Sequence, residues 1–147
     1  MELDQAPVIG KVGPRSDGVD ARFWEGLGEG RLLIQHCSGC GRWVWPAAWS
    51  CPGCQGSELE WDEVPARGTI FTWTRTWQPF VPEFADLVPY ITAVVELDGA
   101  DGTRLVGIVL GDDSQDPELG EAVEGVIQEP SELTSGVPVL RWQRPSG

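Results

Sequence analysis

The feature that most constrains this chain is a pair of short cysteine motifs, Cys37-Ser38-Gly39-Cys40 and Cys51-Pro52-Gly53-Cys54, separated by ten residues. Two residues between cysteines let both sulfurs of a tight turn face one point. Two such turns supply four ligands to a tetrahedral metal at about 2.3 Å each. Glycines at 39, 41 and 53 let the backbone turn back and aim amides at the sulfurs. The competing readings are a pair of disulfides and a redox CxxC. Stable disulfides are disfavoured in a reducing compartment, and a redox motif needs one such pair, usually beside a βαβ unit. The spacing therefore assigns one structural Zn2+ per chain to Cys37, Cys40, Cys51 and Cys54, with no open position left for catalytic water. His36, the only histidine, is read as a strand residue pointing away from the metal rather than as a proton-transfer group.

Around this anchor the chain is punctuated for short strands. Residues 1–16, with Pro7, Gly10, Gly13 and Pro14, are expected to be a disordered tail. Asp17 is the expected N-cap of a short helix within 17–30, in which Val19, Phe23, Trp24 and Leu27 share a face and Gly28 and Gly30 end the helix. The zinc ribbon is assigned to 31–60. A run Glu58–Val64 links it to an OB-fold over 61–147, built from Thr69–Trp77, Ile91–Leu97, Thr103–Leu110, Ala122–Gln128 and Val137–Trp142. Asp98-Gly99-Ala100-Asp101-Gly102 is a hairpin signal between the second and third of these runs. Five strands without βαβ spacing predict a mainly β protein with a five-stranded OB-fold barrel.

Charge and inventory exclude several functions. The formal net charge is −13, and between Glu96 and Glu132 eleven acids face one base, Arg104. Such a surface repels polyphosphate backbones, so nucleic acid is not an expected partner. No apolar run of about 18 residues occurs. Met1 is followed by Glu2 and Asp4 rather than by a basic and then an apolar stretch. Neither a membrane span nor a secretory signal is expected, and the expected compartment is the cytoplasm. No catalytic residue is assigned: the cysteines are committed to metal, Lys11 lies in the tail, and no Ser elbow or phosphate loop is present. Asp112, Asp113 and Asp116 read as a solvated acidic turn rather than a cation site.

Eight tryptophans are the unusual part of the composition. Alternation along Thr69–Trp77 places Phe71, Trp73, Arg75 and Trp77 on one face, and Thr72, Thr74 and Thr76 with Ile70 on the other. Pro79–Pro89 then carries Phe80 and Phe84 into a loop whose apolar residues need a partner or a fold back onto the barrel. Trp73, Trp77, Phe80 and Phe84 are the expected partner-docking surface, with core packing an equal alternative for Trp73.

In this order, Phe23-Trp24-Glu25-Gly26-Leu27, the Cys37–Cys54 ribbon, Arg67-Gly68-Thr69-Ile70-Phe71, Pro89-Tyr90-Ile91 with Val95-Glu96-Leu97, and a strand pair from Gly120 resemble the zinc-ribbon OB-fold proteins associated with acyl-CoA metabolism. The resemblance covers roughly residues 18–143. It implies a non-catalytic accessory subunit that partners a thiolase-like aldolase or thiolase, in one branch shortening steroid side chains as CoA thioesters, with acyl-CoA itself a ligand proposed for some members. The chain departs from the pattern at Val106-Gly107-Ile108, where relatives often carry Asn. The rival class is an OB-fold and zinc-ribbon nucleic-acid binder, which the charge opposes.

Overall fold

The computed structural model describes residues 14–111, 114–132 and 134–145. Most of the expected tail, including Lys11, and both Asp112 and Asp113 lie outside them. One helix, α1 (Ala21–Gly28), precedes eight strands: β1 (Leu32–Cys37), β2 (Trp43–Val44), β3 (Leu59–Val64), β4 (Arg67–Thr76), β5 (Tyr90–Leu97), β6 (Arg104–Leu110), β7 (Ala122–Gln128) and β8 (Val139–Gln143). The first three form a sheet in the order β2-β1-β3, and the other five close into a barrel, β4-β5-β6-β8-β7. That barrel order, with one short parallel contact between β6 and β8, is the OB arrangement expected from five strands with no crossover helices.

The helix begins later than the sequence suggests. Asp17 does not cap it, because Asp17 is drawn into a bidentate pair with Arg15 at 2.8 Å for each bond. Asp20 holds the cap position without a side-chain cap bond; its carboxylate instead accepts from Trp24 Nε1 at 3.0 Å. Phe23 and Leu27 are buried, and a Cβ on Gly26 would stand 2.8 Å from Leu33, so the helix lies directly on β1. The strand Leu59–Val64 pairs along its whole length with β1, from Leu32↔Val64 to Cys37↔Leu59.

One continuous core joins the two lobes. Phe23, Leu27, Leu32, Ile34 and Val64 from the ribbon side pack in the same cluster as Ile70, Ile91, Val95, Leu105, Val123 and Trp142 of the barrel. Trp142 is wholly buried and occupies the space in front of Gly107, where a Cβ would be 2.9 Å from the indole. This explains glycine in the middle of β6: the indole takes the volume a larger side chain would need. The indole Nε1 finds no hydrogen-bond partner among the described residues.

A β-bulge overturns part of the face assignment on β4. Ile70 pairs with Val95 and Thr72 with Val94, so two steps on β4 match one on β5 and Phe71 is the extra residue. Ile70 therefore shares the inward face with Trp73, which packs against the core, rather than with the threonines. Phe71, expected to share Trp73's face, is instead 44% exposed, with the Arg104 guanidinium 3.6 Å above its ring.

Close packing in β4 gives a direct check on this register. A Cβ on Gly68 would collide with the Glu96 carbonyl oxygen, whereas Gly28 at the end of α1 has nothing within 4 Å and an ordinary φ. Gly68→Ala is expected to destabilise the chain by about 2 kcal/mol. Gly28→Ala should stabilise it by up to about 1 kcal/mol, both read from urea midpoints.

Candidate metal centre and exposed aromatic end

The two cysteine motifs fold into near-identical knuckles. In the first, the Gly41 N–H donates to Cys37 C=O and the Cys37 N–H to Arg42 C=O, both at 2.8 Å. In the second, the Gln55 N–H donates to Cys51 C=O and the Cys51 N–H to Gly56 C=O, again at 2.8 Å. The residue after each second cysteine sits in the left-handed region, Gly41 at φ 79° and Gln55 at φ 61°. Sequence reading found the glycine but not Gln55, which fills the same turn position without glycine's freedom. Amides do point at sulfur: the Gly53 N–H lies 3.3 Å from Cys51 Sγ and the Gly56 N–H 3.4 Å from Cys54 Sγ.

The four sulfurs lie within 4.8 Å of one another, with Cys37···Cys54 at 3.7 Å and Cys40···Cys51 at 3.6 Å. A disulfide would need about 2.05 Å. Four bonds of about 2.3 Å to a tetrahedral zinc put the sulfurs about 3.8 Å apart, so the donor set fits that ion in number, type and spacing. The backbone N–H of Cys54 holds the Cys51 thiol down at about 6, against the opposing effect of burial. Cys40, although the Arg42 backbone N–H favours its thiolate, is pushed up to about 11 by its contact with Cys51. A cation removes this competition by taking all four as thiolates.

The loop between the knuckles is pinned by Gln35, a buried polar residue that no motif singles out. Its amide donates to Ala48 C=O at 3.0 Å and accepts the Ala48 N–H at 2.9 Å. His36 points away from the sulfurs, as expected: Nδ1 is 2.9 Å from Asp62, Nε2 is 3.1 Å from Gly41 C=O, and the ring stacks on Trp43 at 4.4 Å.

The residues expected to form a docking surface divide in two. Trp77 and Phe80 are 70% and 83% exposed. Trp73 packs against the barrel core. Phe84, expected on the surface, is buried with Leu87 in a small cluster with Val81, Tyr90 and Ile108. The loop after β4 therefore folds back over the outside of the barrel, placing Phe84 inward through a 3-10 turn, Pro82–Phe84, and leaving Phe80 bare. Arg75 sits between Trp73 of its strand and Trp77 just beyond it, its guanidinium carbon 5.4 Å from the Trp73 ring and 5.9 Å from that of Trp77. Asp116 holds that guanidinium at 2.6 Å.

The metal assignment is checked by composition and by stability together. Purified protein is expected to hold one zinc per chain, and Cys37→Ser or Cys51→Ser should release it and unfold the ribbon. Because protons compete for the thiolates, zinc should be lost as pH falls, never as it rises from neutrality. Elemental analysis and a chelator titration across pH measure both effects.

Comparison with known proteins agrees with this architecture. The ChsH2 rubredoxin-like zinc ribbon domain matches residues 24–60, and the ChsH2 C-terminal OB-fold domain matches residues 61–128. The chain is 32% identical over 143 residues to a probable enoyl-CoA hydratase alpha subunit of Thermomonospora curvata, covering 95% of this chain and 42% of that protein. It therefore spans less than half the length of that relative. It is 31% identical over 98 residues to a DUF35 domain-containing scaffold protein of Methanothermobacter thermautotrophicus, covering 66% of this chain and 71% of that one. Among solved structures it matches an Ltp2-ChsH2(DUF35) aldolase with a TM-score of 0.76 and 26% identity, over 90% of this chain and 98% of that one. A DUF35-family protein of unknown function from Sulfolobus solfataricus shares the fold, with a TM-score of 0.59 at 20% identity, over 88% and 87% of the two chains. No helix among the described residues is long and apolar enough to cross a membrane. With ribbon and barrel both matched, this chain belongs to the ChsH2 family of zinc-ribbon and OB-fold proteins.

Proposed function

We propose that this chain is the non-catalytic accessory subunit of a cytoplasmic CoA-thioester-processing complex, docked on a thiolase-like aldolase or thiolase that acts on steroid or lipid side chains. The observation that carries the reading is the pair Trp77 and Phe80, exposed just after β4, with Trp77 braced by Arg75, which also meets Trp73 and Asp116. A large side chain held in place before contact loses little freedom on binding, which is what an interface anchor requires. The aldolase complex among the similar structures supports a partner enzyme, and the scaffold protein among the relatives supports an accessory role.

The chemistry on this chain points the same way. The cysteines are gathered at one metal centre, and both ring nitrogens of His36 already face acceptors. These contacts support a reading in which nucleophile and base come from the partner. The zinc of this reading is structural: it closes the ribbon, and the partner brings the reacting groups.

Co-expression with the thiolase-like partner tests the docking surface. Trp77→Ala and Phe80→Ala should each cost about 2 kcal/mol or more of binding, lowering co-purification and CoA-thioester turnover while leaving the melting temperature unchanged. Phe84→Ala should behave in the opposite way, destabilising the free chain by about 3 kcal/mol. Full binding by both the Trp77 and the Phe80 variants would move the interface elsewhere, with exposed Trp49 on the ribbon the next candidate.

A further inference from the structure

A cleft of about 840 Å3 opens between the two lobes, walled by the first knuckle and the residues after it, the tip of the second knuckle, and the turn joining β5 to β6. Arg42 lies on this wall, and its situation differs from that of the other arginines. Among the described residues, seven of the nine arginines face a carboxylate: Arg15, Arg22, Arg31, Arg67, Arg75, Arg104 and Arg144. Arg141 bonds to Gln128. The Arg42 side chain has no hydrogen bond or ion pair among the described residues, in a chain with 23 acids. It is also seated. A Cβ on Gly53 would stand 2.5 Å from its Nε and 3.2 Å from its Cζ, so the glycine of the second knuckle makes room for the guanidinium.

A guanidinium with no carboxylate partner, with its planar fork of donors, is a receptor for an oxyanion, phosphate above all. The size of the cleft says that the oxyanion arrives attached to something. A volume of this order falls within the roughly 300–1,000 Å3 of sites that hold whole organic ligands, and a lone phosphate would leave most of it to water. Trp43 and Trp45 line the same space; the one meets His36 and the other Phe23, and the remaining indole surface is apolar and suits a planar ring. Asp101 on the opposite turn limits the negative charge the site tolerates and accepts a hydroxyl or amino proton. Arg104, also on the wall, lies over Phe71 and beside Glu96 at 3.4 Å, so it adds positive potential while its guanidinium is already engaged. The charge of −13 disfavours a polyanion here far more than a single phosphate.

We propose that this cleft binds a phosphomonoester carrying a planar heterocycle, the chemical class of the nucleoside monophosphates. Arg42 grips the phosphate, the ring lies against the tryptophan wall, and Asp101 receives a ligand hydroxyl. The site stands apart from the docking reading, since neither Trp77 nor Phe80 lines it, and either idea can fail without the other.

The test uses the zinc-loaded full chain at ~150 mM salt, followed by calorimetry and tryptophan fluorescence. The probes are AMP, adenosine, ribose 5-phosphate and inorganic phosphate. AMP is expected to bind with a Kd of about 1 mM or tighter, and each fragment at least about tenfold more weakly. Arg42→Gln should weaken AMP by about tenfold and leave adenosine unchanged, with zinc content and melting temperature measured alongside. Absence of AMP binding to the unaltered chain overturns the proposal, as does adenosine binding as well as AMP. An Arg42→Gln protein that keeps its zinc and its full AMP affinity overturns it too.

Discussion

Four thiolates within 4.8 Å of one another repel, and they stay together only around a cation. The rest of the ribbon is organised by that requirement. Cys37 ends β1, and the same strand carries Leu32, Leu33 and Ile34 into the interior, so one strand joins the metal centre to the shared core. Fixing the sulfurs fixes the knuckles, and the knuckles set where Arg42 emerges and where the loop pinned by Gln35 runs. Because the core continues from ribbon to barrel, the metal bears indirectly on the placement of the barrel strands as well.

At the other end of the molecule the governing constraint is apolar surface. The chain after β4 carries more of it than the barrel interior receives, and the structure uses the outer face of the sheet to bury Phe84 and Leu87 against Tyr90 and Ile108. Trp77 and Phe80 stay uncovered, as do Phe71, Val106, Leu119 and Val126 elsewhere in the barrel domain. Arg75 links inside to outside: its charge is held by Asp116 while its flat face meets two tryptophans. Trp77 of the proposed interface is thus continuous with packed structure.

Much of this was legible in the sequence because the signals are local. CxxC spacing reports a knuckle wherever it occurs, and Gly, Pro and Asp clusters separated the barrel strands to within a few residues. What was hidden depends on contacts between distant segments. The bulge at Phe71 arises from how β4 meets β5, so strict alternation placed Ile70 on the wrong face. The apolar character of Phe84 was plain, but not that the outside of the barrel would cover it. Asp17 reads as the helix cap, but it pairs with Arg15 and the helix starts only at Ala21. The cleft joins residues near 42 to residues near 101, a juxtaposition with no sequence pattern at all.

The proposed docking is tested most directly by amide hydrogen exchange, comparing the free chain with the same chain bound to a thiolase-like partner. Binding through the aromatic end slows exchange at residues 76–81 and along the neighbouring segment that carries Asp116, while the knuckle amides between Cys37 and Gly56 exchange as they do in the free chain. Slowed exchange around Trp49 and the knuckles, with residues 76–81 unchanged, would contradict this account and place the partner on the ribbon.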